Sequence, residues 1–290
     1  MKKIFSCLLV LVVFTLCACT ADSGTNTSAD SEKSSEKKQQ SVEKTDSSDE
    51  TNDKNDSETD KKLENSDVSR VDSAKEVSDD TRDTLSGKII VVDAGHGRFS
   101  KGRQEAIAPG SSQTKPAFVS GTAGKNQSEE ELNLSVALKL KKALEDKGAT
   151  VHMTRETHET TRSNIDRAQF ANDLGADISV KLHADGSENT TLRGISMLIP
   201  GNQHVSDEIV QKSTSAGEIV LEEVVSATGA PDRGTSVRND MTGFNWSTVP
   251  VILLEMGFMS NPEEDTLMET DDYQNKIVVG IVKGLERYFE

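Results

Sequence analysis

Short apolar runs alternate with longer segments of helical periodicity over residues 86–290, and this alternation limits the folds that the chain can adopt. The apolar runs span five or six residues and lack strict alternation with polar residues, which is typical of buried strands. The pattern therefore predicts a single α/β domain, in which a mainly parallel twisted sheet carries helices on both faces. The predicted strands are 88–92, 149–154, 177–182, 194–199 and 249–254, and the predicted helices are 128–147, 162–174, 207–228 and 271–289.

Residues 20–85 differ sharply in composition from the rest of the chain. They are rich in Ser, Asp, Glu, Lys, Thr and Asn, contain no Phe, Trp or Tyr, and carry 19 acidic against 10 basic side chains. Such a segment cannot bury enough apolar surface to offset its chain entropy. We therefore expect a disordered acidic tether ahead of a folded domain that comprises residues 86–290.

Residues 1–19 have the pattern of a signal peptide for export. Lys2 and Lys3 precede an apolar run over 4–16, which is shorter than the roughly 20 residues that a membrane span needs. The run ends in the sequence LCAC (16–19), which resembles a bacterial lipobox, so Cys19 is expected to carry a lipid and to become the first residue of the mature protein. An ordinary secretory signal peptide that is cleaved nearby is the alternative. The lipoprotein interpretation predicts an extracytoplasmic protein anchored to the outer face of the cell membrane.

The three cysteines of the chain all lie in this N-terminal segment. After processing only Cys19 would remain, so neither a disulfide within the chain nor a cysteine metal site could form. A metal ion would then need ligands from His, Asp or Glu.

The charge of the folded part argues against nucleic acid as a partner. Residues 86–290 carry 30 acidic and 21 basic side chains and one Trp, without a basic cluster. Proteins that bind nucleic acid usually present a basic patch to the phosphates.

The segment 98–127 and the helix that follows it differ in how clearly the sequence predicts them. The segment 98–127 has no periodicity and many Gly, Ser, Thr and Pro residues, so we predict a long loop or insertion, which in compact domains is often functional. In the following helix, Ser128 is a suitable N-cap and Glu131 completes a capping box. The sequence does not predict how the insertion folds.

Three predicted strands lead into polar side chains. The first strand is followed by His96, the third ends at His183, and the last ends at Glu255. The carboxyl ends of parallel strands meet at one edge of the sheet, and Glu129, at the start of a helix, could reach the same edge. Two imidazoles and a carboxylate are a common ligand set for catalytic zinc. Taken singly, each residue also has an ordinary structural role, so the spacing alone leaves the metal site open.

Six motifs occur in a characteristic order between residues 88 and 290. They are VVDAGHG (91–97), EEELNL (129–134), VHMTRE (151–156), RAQFAND (167–173), KLHADGS (181–187) and PVILLEMGFMSNPEE (250–264). With these motifs the chain resembles the zinc-dependent N-acetylmuramoyl-L-alanine amidases of the type-3 amidase family. It departs from the family pattern in Leu182, in Asp185 where the family has Asn, and in the long segment 98–127.

The resemblance implies a site made of four residues. His96, Glu129 and His183 would be the ligands of one zinc ion, and Glu255 would be the catalytic carboxylate. Because three glutamates are adjacent at 129–131, Glu131 is the alternative to Glu129. The remaining histidines, His152, His158 and His204, are expected to be non-ligating. We expect Arg155, Arg167 and Asn172 to support the fold, and Asn239, Asp240 and Trp246 to line the substrate groove.

The function implied by the resemblance is zinc-dependent hydrolysis of the amide bond between N-acetylmuramic acid and L-alanine in peptidoglycan. Two alternatives from other classes are a peptidoglycan-binding module without activity and a metallopeptidase that cuts the stem peptide on the same fold. The sequence leaves open whether a regulatory protein controls the activity.

Overall fold

The computed structural model describes residues 83–290. The predicted signal peptide with Cys19, and the predicted tether up to residue 82, lie outside the described residues. Leu85, which the sequence analysis placed in the tether, is fully buried in the main core. The folded domain therefore includes at least this residue ahead of position 86.

Eight strands and six helices follow one another along the described chain. The strands are β1 (Ile89–Ala94), β2 (Gln104–Ala106), β3 (Thr114–Pro116), β4 (Thr150–Met153), β5 (Ile178–Asp185), β6 (Ile195–Pro200), β7 (Asp232–Arg238) and β8 (Val251–Phe258). The helices are α1 (Glu129–Glu145), α2 (Asn164–Asp173), α3 (Asp207–Thr228), α4 (Thr242–Asn245), α5 (Pro262–Met268) and α6 (Asp271–Phe289). All predicted strands and helices are present, with ends that shift by up to four residues.

Six of the strands form one sheet in the order β4-β1-β5-β8-β6-β7. The first four run parallel to one another, β6 runs antiparallel to β8, and β7 runs parallel to β6. The architecture confirms the predicted mainly parallel sheet. Its carboxyl edge is formed by three adjacent strands, β1, β5 and β8, which are the strands that the sequence analysis associated with the polar residues.

Helices cover both faces of the sheet because the central strands are apolar on both sides. Along β1, Ile90 and Val92 point into a large core that α1, α3 and α6 share, whereas Val91 packs on the opposite face with Ala171 of α2. On that second face, Phe244 of α4 packs against Val251 of β8 and neighbouring residues. This two-sided burial explains why the strands lack an alternating polar pattern.

Helices α3 and α6 approach closely along a pair of glycines. A Cβ atom at Gly280 would lie 2.5 Å from the Cα of Val224, and one at Gly284 would lie 2.6 Å from the Cα of Val220. Glycine at both positions therefore lets the two helix backbones come into contact.

No helix within residues 83–290 is both long and apolar enough to span a membrane.

The segment 98–127 contains a small hairpin that the sequence did not predict. Strands β2 and β3 pair antiparallel, with Glu105 opposite Lys115. Beyond the hairpin the chain returns toward the sheet edge and reaches Ser128, the N-cap of α1, where the predicted capping box with Glu131 is formed. The insertion is thus connected directly to the helix that carries Glu129.

Candidate metal centre

The turn after β1 brings His96 to the carboxyl edge of the sheet. The amide of Gly95 donates a hydrogen bond to the carbonyl of Leu182, 3.0 Å away, at the end of the neighbouring strand β5. A Cβ atom at position 95 would lie 2.4 Å from the ring of His183. Glycine is therefore required for the turn to pass this close to β5.

The backbone of His96 adopts a left-handed conformation, with φ of 58°. This conformation is uncommon for a residue with a side chain and persists where surrounding contacts hold it. Arg167 donates to the carbonyl of His96 at 2.5 Å, and His96 Nδ1–H donates to the carbonyl of Val119 at 2.8 Å. These two contacts orient the imidazole so that Nε2 faces Glu129.

Glu129 lies between the two histidines. Its Oε1 is 3.1 Å from Nε2 of His96 and 2.9 Å from Nδ1 of His183, and its side chain is almost fully buried. The rings of His96 and His183 meet edge to face with centroids 4.7 Å apart. One donor atom from each of the three residues lies within 4.8 Å of the others. The structure thus brings together the three residues that the sequence analysis proposed as metal ligands.

The electrostatics of the three residues suit a bound cation. Burial would raise the pKa of the Glu129 carboxyl, but hydrogen bonds from His183 and His96 outweigh it and hold the pKa well below its usual range. Burial lowers the pKa of His183, which favours the neutral imidazole that binds metals. For His96, burial works in the same direction, but the hydrogen bond with Glu129 prevails and the pKa is raised. The ionised carboxylate of Glu129 bridges the two imidazoles.

Glu131, the alternative ligand, lies elsewhere. Its carboxylate accepts a hydrogen bond from the backbone amide of Ser128 at 3.0 Å and pairs with Arg98 at 3.0 Å. The capping box thus uses this side chain at the start of α1. The arrangement favours Glu129 as the third ligand.

Glu255 occupies the same edge on β8, directly opposite His183 in the strand register. Its Oε2 atom is buried and has no hydrogen-bond partner within residues 83–290. Burial, with further contributions from Glu129 and Asp185, raises the pKa of Glu255 to about 8. A buried carboxylate without a partner is costly, so this group is more easily explained by chemistry than by stability.

A buried ionic network supports the turn that carries His96. Asp93 lies 2.5 Å from both Arg167 and Lys181, and these two cations hold its pKa well below the usual range despite its burial. Arg155 donates to the carbonyls of Ala94, Gly95 and Glu130. Arg155 and Arg167 therefore tie the turn to α1 and α2, as expected for residues that support the fold.

The sequence analysis missed the backbone contacts that the insertion makes with the metal ligands. Besides the Val119 carbonyl on His96, the amide of Thr122 donates to Oε2 of Glu129 at 2.9 Å. A Cβ atom at Gly121 would lie 2.5 Å from the same oxygen. Backbone contacts carry no side-chain signature, so only the glycine could have marked this stretch.

The other candidate residues have separate places. His152 packs edge to face with Phe170, His158 pairs with Glu130 at 3.1 Å, and His204 is exposed. Asn172 binds the backbone of Trp246 and Thr248, consistent with support of the fold. The residues predicted to line a groove do not line the cavity beside the two histidines: Asp240 pairs with Arg238, and Trp246 donates to the carbonyl of Ala106. From this part of the chain, residues 241–244 contribute to the lining of the cavity.

Comparison with known proteins places this geometry in context. The family model described as N-acetylmuramoyl-L-alanine amidase matches residues 90–287. A probable cell wall amidase, LytH, of Staphylococcus aureus is 28% identical over 216 residues, which are 73% of this chain and 63% of that protein. The chain thus spans less than two thirds of the length of this curated relative.

Two crystal structures share the fold. The N-acetylmuramyl-L-alanine amidase Ami1 from Mycobacterium smegmatis superimposes with a TM-score of 0.65 at 26% identity, covering 71% of this chain and 98% of that one. The N-acetylmuramoyl-L-alanine amidase from Clostridium difficile 630 has a TM-score of 0.57 at 28% identity, covering 70% of this chain and 97% of that one. The similarity therefore extends over nearly the whole of both catalytic structures.

Proposed function

Since the chain belongs to the N-acetylmuramoyl-L-alanine amidase family, we propose that it hydrolyses the amide bond between N-acetylmuramic acid and L-alanine in peptidoglycan with the help of one zinc ion. The observation that carries this proposal is the convergence of His96, Glu129 and His183 beside Glu255. Two imidazoles and an ionised carboxylate fit zinc, and a set of three protein ligands leaves a position for water or substrate.

A zinc ion held by His96, Glu129 and His183 would supply Lewis-acid chemistry to a water molecule and to the scissile carbonyl. Glu255 would act as the general base and acid: its Oε2 takes a proton from the attacking water and delivers it to the departing nitrogen of L-alanine. The buried, unpartnered state of Oε2 keeps this atom free for the proton. The carbonyl of Val119 keeps His96 in the orientation in which Nε2 faces the other ligands.

The roles of the carboxylates can be separated by three substitutions. Glu255→Gln is expected to keep its zinc and to lose turnover by about a thousandfold or more, since it removes the general base. Glu129→Gln is expected to lose zinc, because its amide cannot replace the carboxylate. Glu131→Gln, the matched control in the same helical turn, should keep both. Metal content by mass spectrometry and lysis of purified sacculi would measure these properties.

Full lysis of sacculi by Glu255→Gln would contradict the assignment of Glu255. Loss of zinc in Glu131→Gln with retention in Glu129→Gln would exchange the two ligand assignments.

The N-terminal segment extends the proposal to the location of the enzyme. The LCAC sequence at 16–19 supports lipidation of Cys19, which would hold the catalytic domain at the outer face of the membrane beside its peptidoglycan substrate. Cys19→Ser is expected to lose lipid labelling, whether it is released or remains as an uncleaved precursor, whereas Cys17→Ser should remain membrane-bound and lipid-labelled. Equal membrane association and lipid labelling of both variants would contradict the anchor.

A further inference from the structure

A cavity of about 250 Å³ lies beside the proposed metal centre, and the insertion forms one wall of it. His96 and His183 line the cavity at the metal side, while Lys115 and Phe118 line it from the insertion. Phe99 and Phe118, which also line it, stack with their ring centroids 5.3 Å apart, and the fully buried Phe244 is a further lining residue.

The charge of the cavity is opposite to that of the protein. Four cationic side chains line it, and Asp93 is the one acidic side chain among the residues that do so. The chain as a whole has a formal net charge of −16. Arg167 and Lys181 both pair with Asp93, so one of their two positive charges remains uncompensated by this carboxylate. An anionic group is therefore the occupant that this surface favours.

Lys115 is the cation best placed to bind such a group. It is half-buried on β3, and its Nζ donates to the backbone carbonyl of Asp240 at 3.1 Å. Glu105 and Asp240 act on its charge from nearby, but neither carboxylate forms an ion pair with it within residues 83–290. Glu105 accepts hydrogen bonds from Asn164 and Ile165, and the Asp240 carboxylate pairs with Arg238. The ammonium group of Lys115 has three N–H donors, and the carbonyl of Asp240 accepts from one of them. The other donors can therefore bind a ligand.

We propose that this cavity binds the stem peptide through a free carboxylate on the residue that follows L-alanine, with Lys115 as the residue that recognises it. The proposal rests on the proposed function and adds the substrate class: an acidic peptide is favoured over the same peptide with that carboxylate amidated. The glycan fits less well, because the sugars that flank the scissile bond carry no negative charge with which Lys115 could pair. The binding determinant thus lies in the insertion rather than in the shared sheet.

Two soluble N-acetylmuramoyl-L-alanyl-glutamates test this assignment: both have the side-chain carboxylate blocked as an amide, and they differ only in whether the α-carboxylate is free or amidated. For the wild-type enzyme we expect kcat/KM to be about tenfold or more higher for the acid, the usual effect of a hydrogen bond to a charged partner. In Lys115→Gln the ratio should fall to within about twofold of unity, and Lys115→Arg should restore most of it. Lys101→Gln, an exposed lysine of the same insertion that does not line the cavity, should keep the wild-type ratio.

Binding measured by calorimetry on the Glu255→Gln variant separates this proposal from the proposed function. Tighter binding of the acid than of the amide, lost in Glu255→Gln/Lys115→Gln, would support the cavity assignment even if no amide were hydrolysed. Equal kcat/KM for both compounds in an active enzyme would overturn the cavity assignment while leaving the amidase activity intact. Equal or absent binding of the two compounds, or a preference that Lys115→Gln retains, would also overturn it. Circular dichroism of each variant confirms that the fold is kept.

Discussion

At the scale of single residues, the proposed site depends on two carboxylates held in opposite states. Glu129 is surrounded by donors, since Ala184 and Thr122 contribute backbone amides in addition to the two histidines. Glu255, on β8, has a buried oxygen that accepts no hydrogen bond from any donor among residues 83–290. Such a division between an ionised carboxylate and one with a raised pKa is typical of a site with separate ligand and acid–base roles.

The raised pKa of Glu255 predicts a dependence of stability on pH in the metal-free protein. Between its ordinary value of 4.5 and about 8, the folded state holds a proton that the unfolded state has released. The contribution of Glu255 to the free energy of unfolding therefore falls as pH rises through this window. Glu255→Gln removes this effect, so the variant should match the wild type near pH 4.5 and exceed it by on the order of 1–3 kcal/mol at pH 9. Urea unfolding in the presence of a chelator measures the difference.

Glu263→Gln, on the exposed surface of α5, serves as the control and should follow the wild type across the same range. Curves for Glu255→Gln and the wild type that stay parallel from pH 5 to pH 9 would show that Glu255 has no raised pKa in the metal-free fold.

Among the elements, the insertion over 98–127 has the most direct effect on the metal centre. Its backbone holds His96 through Val119 and Glu129 through Thr122, with Gly121 between them. A methyl group at Gly121 would lie 2.5 Å from Oε2 of Glu129 and 2.9 Å from Cδ2 of His96. We expect Gly121→Ala to weaken zinc affinity by about ten- to hundredfold, the usual range for loss of contacts that orient metal ligands.

Gly102→Ala is a matched substitution in the same insertion, since a Cβ atom there would meet nothing within 4 Å. Competition with a chromogenic chelator would give both affinities. Equal zinc affinities for Gly121→Ala and Gly102→Ala would mean that the insertion does not orient the ligands.

The elements also show which parts of the fold the sequence could predict. The central strands and the helices α1, α3 and α6 were predicted because each carries a long apolar pattern or a cap, such as Ser128. Strand β7 was missed because its side chains are largely exposed, and α4 was missed because four residues carry no helical period. The pairing of β2 with β3 depends on tertiary contacts, including Asn164 with Glu105, that no local pattern reveals.

In the candidate site, too, some features follow from the sequence pattern and others depend on tertiary contacts. The sequence places His96, His183 and Glu255 at or just after the ends of predicted strands, so it predicts their proximity. In the structure β5 and β8 continue past His183 and Glu255, and the adjacent strands β1, β5 and β8 bring the three residues to one edge. The choice of Glu129 over Glu131 needed the structure, because the capping box occupies Glu131. The cavity beside the metal centre was not predicted, since its cations come from three separate segments of the chain.

For the whole molecule, residues 86–290 carry more acidic than basic side chains, whereas four cations and one acidic side chain line the cavity next to the proposed metal centre. The cations of the cavity are the groups to which the proposed peptide carboxylate would bind. The fold is shared with two amidase structures over 97–98% of their chains. The proposed substrate preference depends on the segment 98–127, and the proposed membrane anchor depends on the N-terminal segment.

Product analysis after digestion of purified peptidoglycan tests the central claim most directly. The protein is expected to release stem peptides that begin with a free L-alanine amine and to leave glycan strands with unsubstituted lactyl groups. A chelator should abolish the release, and added zinc should restore it. Mass spectrometry that finds new amines only inside the stem peptide would instead indicate a peptidase. Binding without any release, or release unaffected by the chelator, would contradict a zinc-dependent amidase.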